Sequence, residues 1–133
     1  MEFKLEVGMK AMVHEVVTEN DTAKSFGSGE VYVYATPKMI GIMENAALKA
    51  VDPKLPEGFA TVGIHLDVKH MAATPVGMKV RAEAELVEVK GKKLKFKIEA
   101  YDEKDKIGEG FHSRYIINVE DFIKAAEEKG KNE

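Results

Sequence analysis

Two residues offer chemistry before any fold is considered. A glutamate, Glu44, interrupts the apolar string ATPKMIGIMENAA at residues 35–47, and a histidine, His70, ends the alternating string TVGIHLDVKH at residues 61–70. On a helical wheel, Lys38, Asn45, Lys49 and Asp52 gather in a narrow polar stripe, and Glu44 lies roughly 100° away from it. Its neighbours on that side, Ile40, Leu48 and Val51, are apolar. Two readings stay open. Glu44 could sit at the margin of a buried face and bend its carboxylate to water. It could equally be a desolvated carboxylate available for acid–base or nucleophilic work, because a buried charge is costly without a partner or a task.

The chain has histidines at 14, 65, 70 and 112. Strict alternation puts His65 with Asp67 and Lys69 on a wet face, and His70 with Val62, Ile64, Leu66 and Val68 on a dry one. A satisfied core histidine is one reading of His70. The other is a group that polarises a carbonyl or moves a proton near neutral pH. Its place just before the loop MAATPVG favours a site, since strand ends beside loops collect function. Glu44 and His70 are too few to hold a metal, and no Asp/His cluster completes a set, so none is expected. There is no G-x-S-x-G elbow and no phosphate-binding loop.

These residues need elements to hold them. Thr36-Pro37 starts a helix well: Thr can cap, and Pro suits the first turn, where its missing N–H costs nothing. The helix should end near Val51, because Asp52-Pro53 follows. Residues 29–35, GEVYVYA, alternate as a strand does, and 11–18, AMVHEVVT, form another. After the helix come 61–70; a strand with Val80, Ala82, Ala84 and Leu86 on one face and a bulge near Val87; a strand with Leu94, Phe96, Ile98 and Ala100 on one face; and 107–119, IGEGFHSRYIINV. Lys90–Lys93 and Asp102–Lys106 are short enough for hairpins. A short helix, DFIKAAEEK, closes the chain, and EEKGKNE is a frayed end. The expected architecture is α+β: four strands in antiparallel succession, curled around one long apolar helix.

Composition sets the limits. The chain has 133 residues, 44% hydrophobic and 32% charged, enough for a single domain spanning 1–133. A net charge of −3 gives no reason to expect nucleic acid as a partner. No apolar run suits a membrane span, and the start, MEFKLEVGMK, lacks a signal-peptide core, so no membrane partner and a cytoplasmic location are expected. Cysteine is absent, which removes disulfides and thiolate chemistry.

The strings ATPKMIGIMENAA and VKHMAATPVG, with GFHSRYIIN downstream, resemble the fluoroacetyl-CoA thioesterase-like hot-dog proteins over roughly residues 5–122. The resemblance implies a hot-dog fold, usually found as a homodimer with sites near the subunit interface. It implies hydrolysis of a small acyl-CoA to the free acid and CoA, with no cofactor beyond the CoA of the substrate. It implies a catalytic Thr36, Glu44 and His70, and a ligand role for Gly63, His70 and Arg114. It does not carry fluorinated-substrate selectivity, which in that family depends on apolar gating elements outside these strings; Phe26, in a Gly/Ser-rich stretch, is the one candidate remnant. The oxyanion would fall to His70 or to the helix N-terminal amides near Thr36–Met39. Thr36 and Glu44 sit about 12 Å apart along a regular helix, so the two would meet only across a dimer or if the helix began later. Lys90, Lys92, Lys93, Lys95 and Lys97 form a basic run that is either a solvated hairpin edge or a contact for the CoA phosphates. Three rivals remain: a non-catalytic acyl-CoA-binding or regulatory module, a hot-dog hydratase, and a purely structural dimer. The absence of a histidine where the helix starts counts against the hydratase. Off-stripe Glu44 and dry-face His70 count against the structural dimer.

Overall fold

The computed structural model describes residues 3–131. One long helix, α2 (Thr36–Val51), lies across the inner face of a five-stranded antiparallel sheet. The strands are β1 (Lys10–Val16), β2 (Phe59–His70), β3 (Lys79–Lys90), β4 (Lys93–Tyr101) and β5 (Lys106–Asn118). Helix α1 (Ala23–Phe26) is a single turn between β1 and α2, and α3 (Val119–Lys129) follows β5. Among the described residues, no helix is long and apolar enough to cross a membrane.

The α2 sequence explains its placement. Met39, Ile42, Met43, Ala46, Ala47, Ala50 and Val51 are buried, and the helix stops where Asp52-Pro53 begins a short 3₁₀ turn. Against it pack Val80, Ala82, Ala84 and Leu86 of β3 and Leu94, Phe96, Ile98 and Ala100 of β4, all buried, on the faces that alternation assigns to them. The alanines on both sides let helix and sheet approach closely. Each large core side chain such as Phe96 or Ile98 contributes about 1.5–3 kcal/mol by leaving water. The expected bulge in β3 is present, with Val87 outside the register between Leu86 and Glu88.

The sheet corrects three expectations. First, the strand order is β1-β3-β4-β5-β2, so only β3, β4 and β5 form a meander. β2 pairs with β5 at the far edge, and the chain after His70 must cross over the start of α2 to reach β3 beside β1. Local alternation says which residues are strands, not which strands are neighbours. Second, residues 29–35 form no strand. Only Tyr34 and Val33 make isolated bridges, to Thr22 and Pro75. The segment turns back on α1, with the Ala23 and Lys24 N–H groups donating to the carbonyls of Val33 and Val31, which leaves Val31 and Tyr32 exposed.

Third, strict alternation fails in β2. The register shifts between Gly63 and His65, leaving Ile64 unpaired. Across this bulge, Thr61 and Gly63 face the same side as Leu66, Val68 and His70, as their partners Ile116, Arg114, His112, Gly110 and Gly108 on β5 require. Val62 and Ile64 therefore do not share the inner face, and Ile64 is half exposed.

Candidate functional site

The sequence-derived residues fall into two groups on the inner side of the sheet. The first is Thr36 with His70. Thr36 begins α2, but the cap position is Ala35 and no side chain caps the helix there. The Thr36 hydroxyl is used elsewhere: its Oγ1 lies 2.7 Å from Nδ1 of His70. The other imidazole nitrogen, Nε2, is buried and has no hydrogen-bond partner among the described residues. Burial pushes the His70 pKa below its ordinary 6.5, opposed by a backbone contact with Ala72. A neutral imidazole with one nitrogen held and one free can give or take a hydrogen bond to a ligand.

That pair borders an open cleft of about 380 Å³. Its walls include Ala23, Gly29, Val31 and Val33 from the segment before α2, and Ala72 and Ala73 from the crossover after β2. Ser28, Tyr34 and Met71 complete the lining, which mixes small apolar side chains with larger and polar ones. Phe26 is not among the residues lining the cleft; it is about half exposed, and Lys38 Nζ lies 5.8 Å from its ring centroid. The helix terminus offers fewer donors than a bare count suggests. Pro37 has no N–H, and the Lys38 and Met39 N–H groups donate to the Ala35 carbonyl at 3.0 Å each. Thr36 supplies the remaining amide of that turn.

The second group gathers around Glu44, two helical turns further on. Glu44 is half-buried, and it makes no side-chain hydrogen bond or ion pair among the described residues. Its Oε2 points at Gly63, where a Cβ would stand 3.0 Å away. Arg114 is the register partner of Gly63 across β2 and β5 and is buried. Its Nε donates to Thr61 Oγ1 at 2.7 Å, its Nη2 to the Thr61 carbonyl at 2.8 Å, and its Nη1 to Nε2 of His112 at 3.1 Å. The Thr61 hydroxyl donates in turn to Asp52 at 2.6 Å. Burial lowers the Arg114 pKa, opposed by the charges of Asp52 and Glu44.

So Thr36 meets His70, Gly63 meets Glu44 and Arg114, and within one chain Glu44 does not meet Thr36: eight residues of helix separate them by about 12 Å. His112, Thr61 and Asp52 were not singled out as site residues from the sequence. One signal for His112 was present: it stands two residues before Arg114 on a strand, and so on the same face. No group of three or more His, Asp or Glu side chains suited to a metal ion occurs among the described residues.

The sequence profile of fluoroacetyl-CoA-specific thioesterases matches residues 17–120. This chain belongs to that family. The fluoroacetyl-CoA thioesterase of Streptantibioticus cattleyicolor is 42% identical over 90 residues, 68% of this chain and 65% of that protein, so the match spans just under two thirds of this relative. A structure of a fluoroacetyl-CoA-specific thioesterase mutant in complex with fluoroacetate and CoA is 35% identical and superposes with a TM-score of 0.84, covering 89% of this chain and 99% of that one. A hot-dog-like protein from Thermanaerovibrio acidaminovorans, 22% identical, superposes with a TM-score of 0.86 over 98% of this chain and 96% of its own. That likeness shows the fold alone, and the sheet wrapped over α2 is a hot-dog fold. The fluoroacetyl-CoA-specific thioesterase profile encloses both groups of residues described above.

Proposed function

We propose that this protein is an acyl-CoA thioesterase that hydrolyses a short-chain acyl-CoA to the free acid and CoA, using Thr36, Glu44 and His70. The observation that carries the reading is the Thr36–His70 contact at 2.7 Å, which leaves the buried Nε2 of His70 unpartnered beside a cleft. If the Thr36 hydroxyl donates to Nδ1, the proton of the neutral ring resides on Nε2 and can stabilise the oxygen of a thioester carbonyl as it becomes an oxyanion. The Glu44 carboxylate takes a proton from water, and the water oxygen attacks the carbonyl carbon. The tetrahedral intermediate collapses, the C–S bond breaks, and the protonated Glu44 returns its proton to the CoA sulfur. Gly63 leaves room for the carboxylate, and Arg114 adds a positive charge beside it. Nothing but substrate and water enters these steps, and CoA arrives as part of the substrate.

A homodimer fits this chemistry. β2 is an edge strand of 12 residues with Ile64 and Leu66 exposed, and such an edge invites a second strand. Antiparallel pairing of two β2 strands about a point between Leu66 and Asp67 would set Gly63 of one copy, with its Glu44, opposite His70 of the other. The separation that defeats the site within one chain is then an arrangement that joins it between two. For the CoA end, a depression on the outer sheet face has Lys90, Lys93 and Lys95 in its lining together with Asp67 and Glu88; Glu88 lies 3.6 Å from Lys90 Nζ, which leaves Lys93 and Lys95 as the cations that suit its phosphates. A short acyl group is supported by the fluoroacetyl-CoA of the matching family and its relative, and Phe26 lies outside the cleft, so fluorinated selectivity is not part of the reading. A cytoplasmic location accords with a chain free of cysteine.

The test is CoA release from a panel running from acetyl to long-chain and aromatic esters, with wild type and Glu44→Gln side by side. Turnover of short esters that falls by about 100-fold or more in a folded Glu44→Gln variant is the expected result. Binding of CoA esters without turnover would replace this reading with that of a non-catalytic acyl-CoA-binding module.

A further inference from the structure

His112 is a buried titratable group that the proposed reaction leaves unused, and its two nitrogens define its state. Nδ1 lies 2.8 Å from the carbonyl oxygen of His65, which can only accept. Nε2 lies 3.1 Å from Nη1 of Arg114, which can only donate. One species satisfies both contacts: the neutral imidazole with its proton on Nδ1. Burial holds the His112 pKa below its usual value; the His65 carbonyl and the Glu44 charge act against that, and the Arg114 charge and His65 imidazole act with it. The ring lies between β2 and β5, tilted toward Phe96 of β4 with centroids 6.4 Å apart.

The consequence falls on Arg114. A buried guanidinium ordinarily takes a carboxylate, often by two parallel hydrogen bonds. Arg114 has two carboxylates acting on it, from Asp52 and Glu44, and hydrogen-bonds to neither. Thr61 occupies two of its donors and His112 a third. Asp52 is screened by Thr61, whose hydroxyl it accepts. Arg114, Glu44 and His112 converge on the missing Cβ of Gly63, at 3.6 Å for Nη1, 3.0 Å for Oε2 and 3.1 Å for Cε1 of His112. The nitrogen nearest this gap, Nη1, is oriented by His112, which accepts one of its two N–H groups.

We propose that His112 is a positioning residue that holds the Arg114 guanidinium beside the Glu44 carboxylate while preventing the two from pairing, so that Glu44 keeps its lone pairs for the reacting water. The catalytic half of this inference rests on the thioesterase reading; the structural half does not. An ion pair would place Arg114 on the oxygens that must accept a proton. Arg114 held at one remove still supplies positive charge as the water gives up that proton.

Two substitutions separate positioning from packing. Gln at 112 can set an acceptor near the place of Nε2, whereas Asn reaches only the His65 side. A crystal structure of His112→Asn should show Nη1 of Arg114 turned onto Glu44 at about 2.8 Å. Its kcat should fall by about 30-fold with KM changed by less than about threefold, and His112→Gln should stay within about threefold of wild type in both. Nitrogen-15 NMR of the wild type should find the Nδ1–H tautomer at about pH 6. An Nε2–H tautomer or an imidazolium there, an Arg114 unmoved in the Asn variant, or equal kcat losses in two folded variants would each overturn the proposal. If the variants do not fold, the wild-type tautomer decides the structural half, and the kcat of Arg114→Lys decides the other: an unchanged value overturns it, a loss at unchanged KM supports it. Wild type without turnover, but with the Nδ1–H tautomer and the Arg114 movement, would sink the thioesterase reading while supporting the clamp.

Discussion

Replacing Gly63 by alanine adds one methyl group where β2, β5 and α2 meet, and its effect can be worked out from the surroundings. The new carbon would stand 3.0 Å from Oε2 of Glu44, 3.1 Å from Cε1 of His112 and 3.6 Å from Nη1 of Arg114. Favourable non-bonded contacts of carbon lie at about 3.5–4.0 Å, so the first two neighbours are too close by some tenths of an ångström. His112 is held at both nitrogens and cannot give easily. Glu44 is the end of a flexible side chain with nothing holding it, so the carboxylate yields, by about half an ångström. A 1 Å misplacement of a reacting group costs about 100-fold, and half of that on a logarithmic scale is about tenfold in kcat. Stability should fall modestly, because Glu44 can move aside but His112, 3.1 Å away and held at both nitrogens, takes strain. Overpacking costs about 1–3 kcal/mol, and loss of glycine's freedom in the unfolded chain returns about 0.4–1 kcal/mol. Gly63 does not occupy the left-handed region, so alanine accepts its backbone. The net fall in Tm should stay within about 8 °C. The assay is thiol release from a short acyl-CoA, paired with a thermal melt. A kcat within about twofold of wild type would refute the placement of Glu44 at the reacting centre, and a Tm lower by more than about 10 °C would put the cost in the fold instead.

Two further outcomes follow from the geometry. Leu66→Lys puts a charge at the centre of the proposed β2 pairing; it should yield a monomer by analytical ultracentrifugation and lower turnover by about tenfold or more, and a monomer with full activity would remove the second copy from the site. Acid should cost both stability and rate: His70 and His112 have pKa values below 6.5 in the folded state, so as pH falls past 6.5 the unfolded chain takes up protons that the folded one refuses. The stability they contribute is complete above pH 6.5 and is lost as pH drops through their folded values, with the acid limb of kcat lying below 6.5 as well. Denaturation midpoints that do not change between about pH 7.5 and pH 5 would contradict this sign.

What the sequence disclosed followed from regular periodicity. α2 was legible at both ends because Pro37 and Pro53 punctuate it and its buried positions repeat at helical spacing. The inner faces of β3 and β4 were legible because apolar residues fall at every second place. Residues 29–35 misled for the same reason: they alternate, yet their backbone groups are answered by α1 and the crossover instead of a neighbouring strand. The edge position of β2 was hidden because pairing order is a property of the whole chain.

The most telling failure is in β2, and it coincides with the site. Uninterrupted alternation sends Gly63 to the wet side with His65, where it could not meet Glu44. The bulge at Ile64 returns Gly63 to the inner face in step with His70, and with it comes the register that places Arg114 and His112 alongside. Bulges occur where a side chain or a backbone group must be re-aimed. Here one extra residue lets a strand present glycine to a carboxylate in its middle and histidine to a threonine at its end, seven positions apart, an odd spacing that an unbroken strand would divide between opposite faces. The resemblance supplied Thr36, Gly63, Glu44, His70 and Arg114 as a set. The irregularity in β2 is the physical reason that Gly63, His70 and Arg114 stand on one side of the sheet.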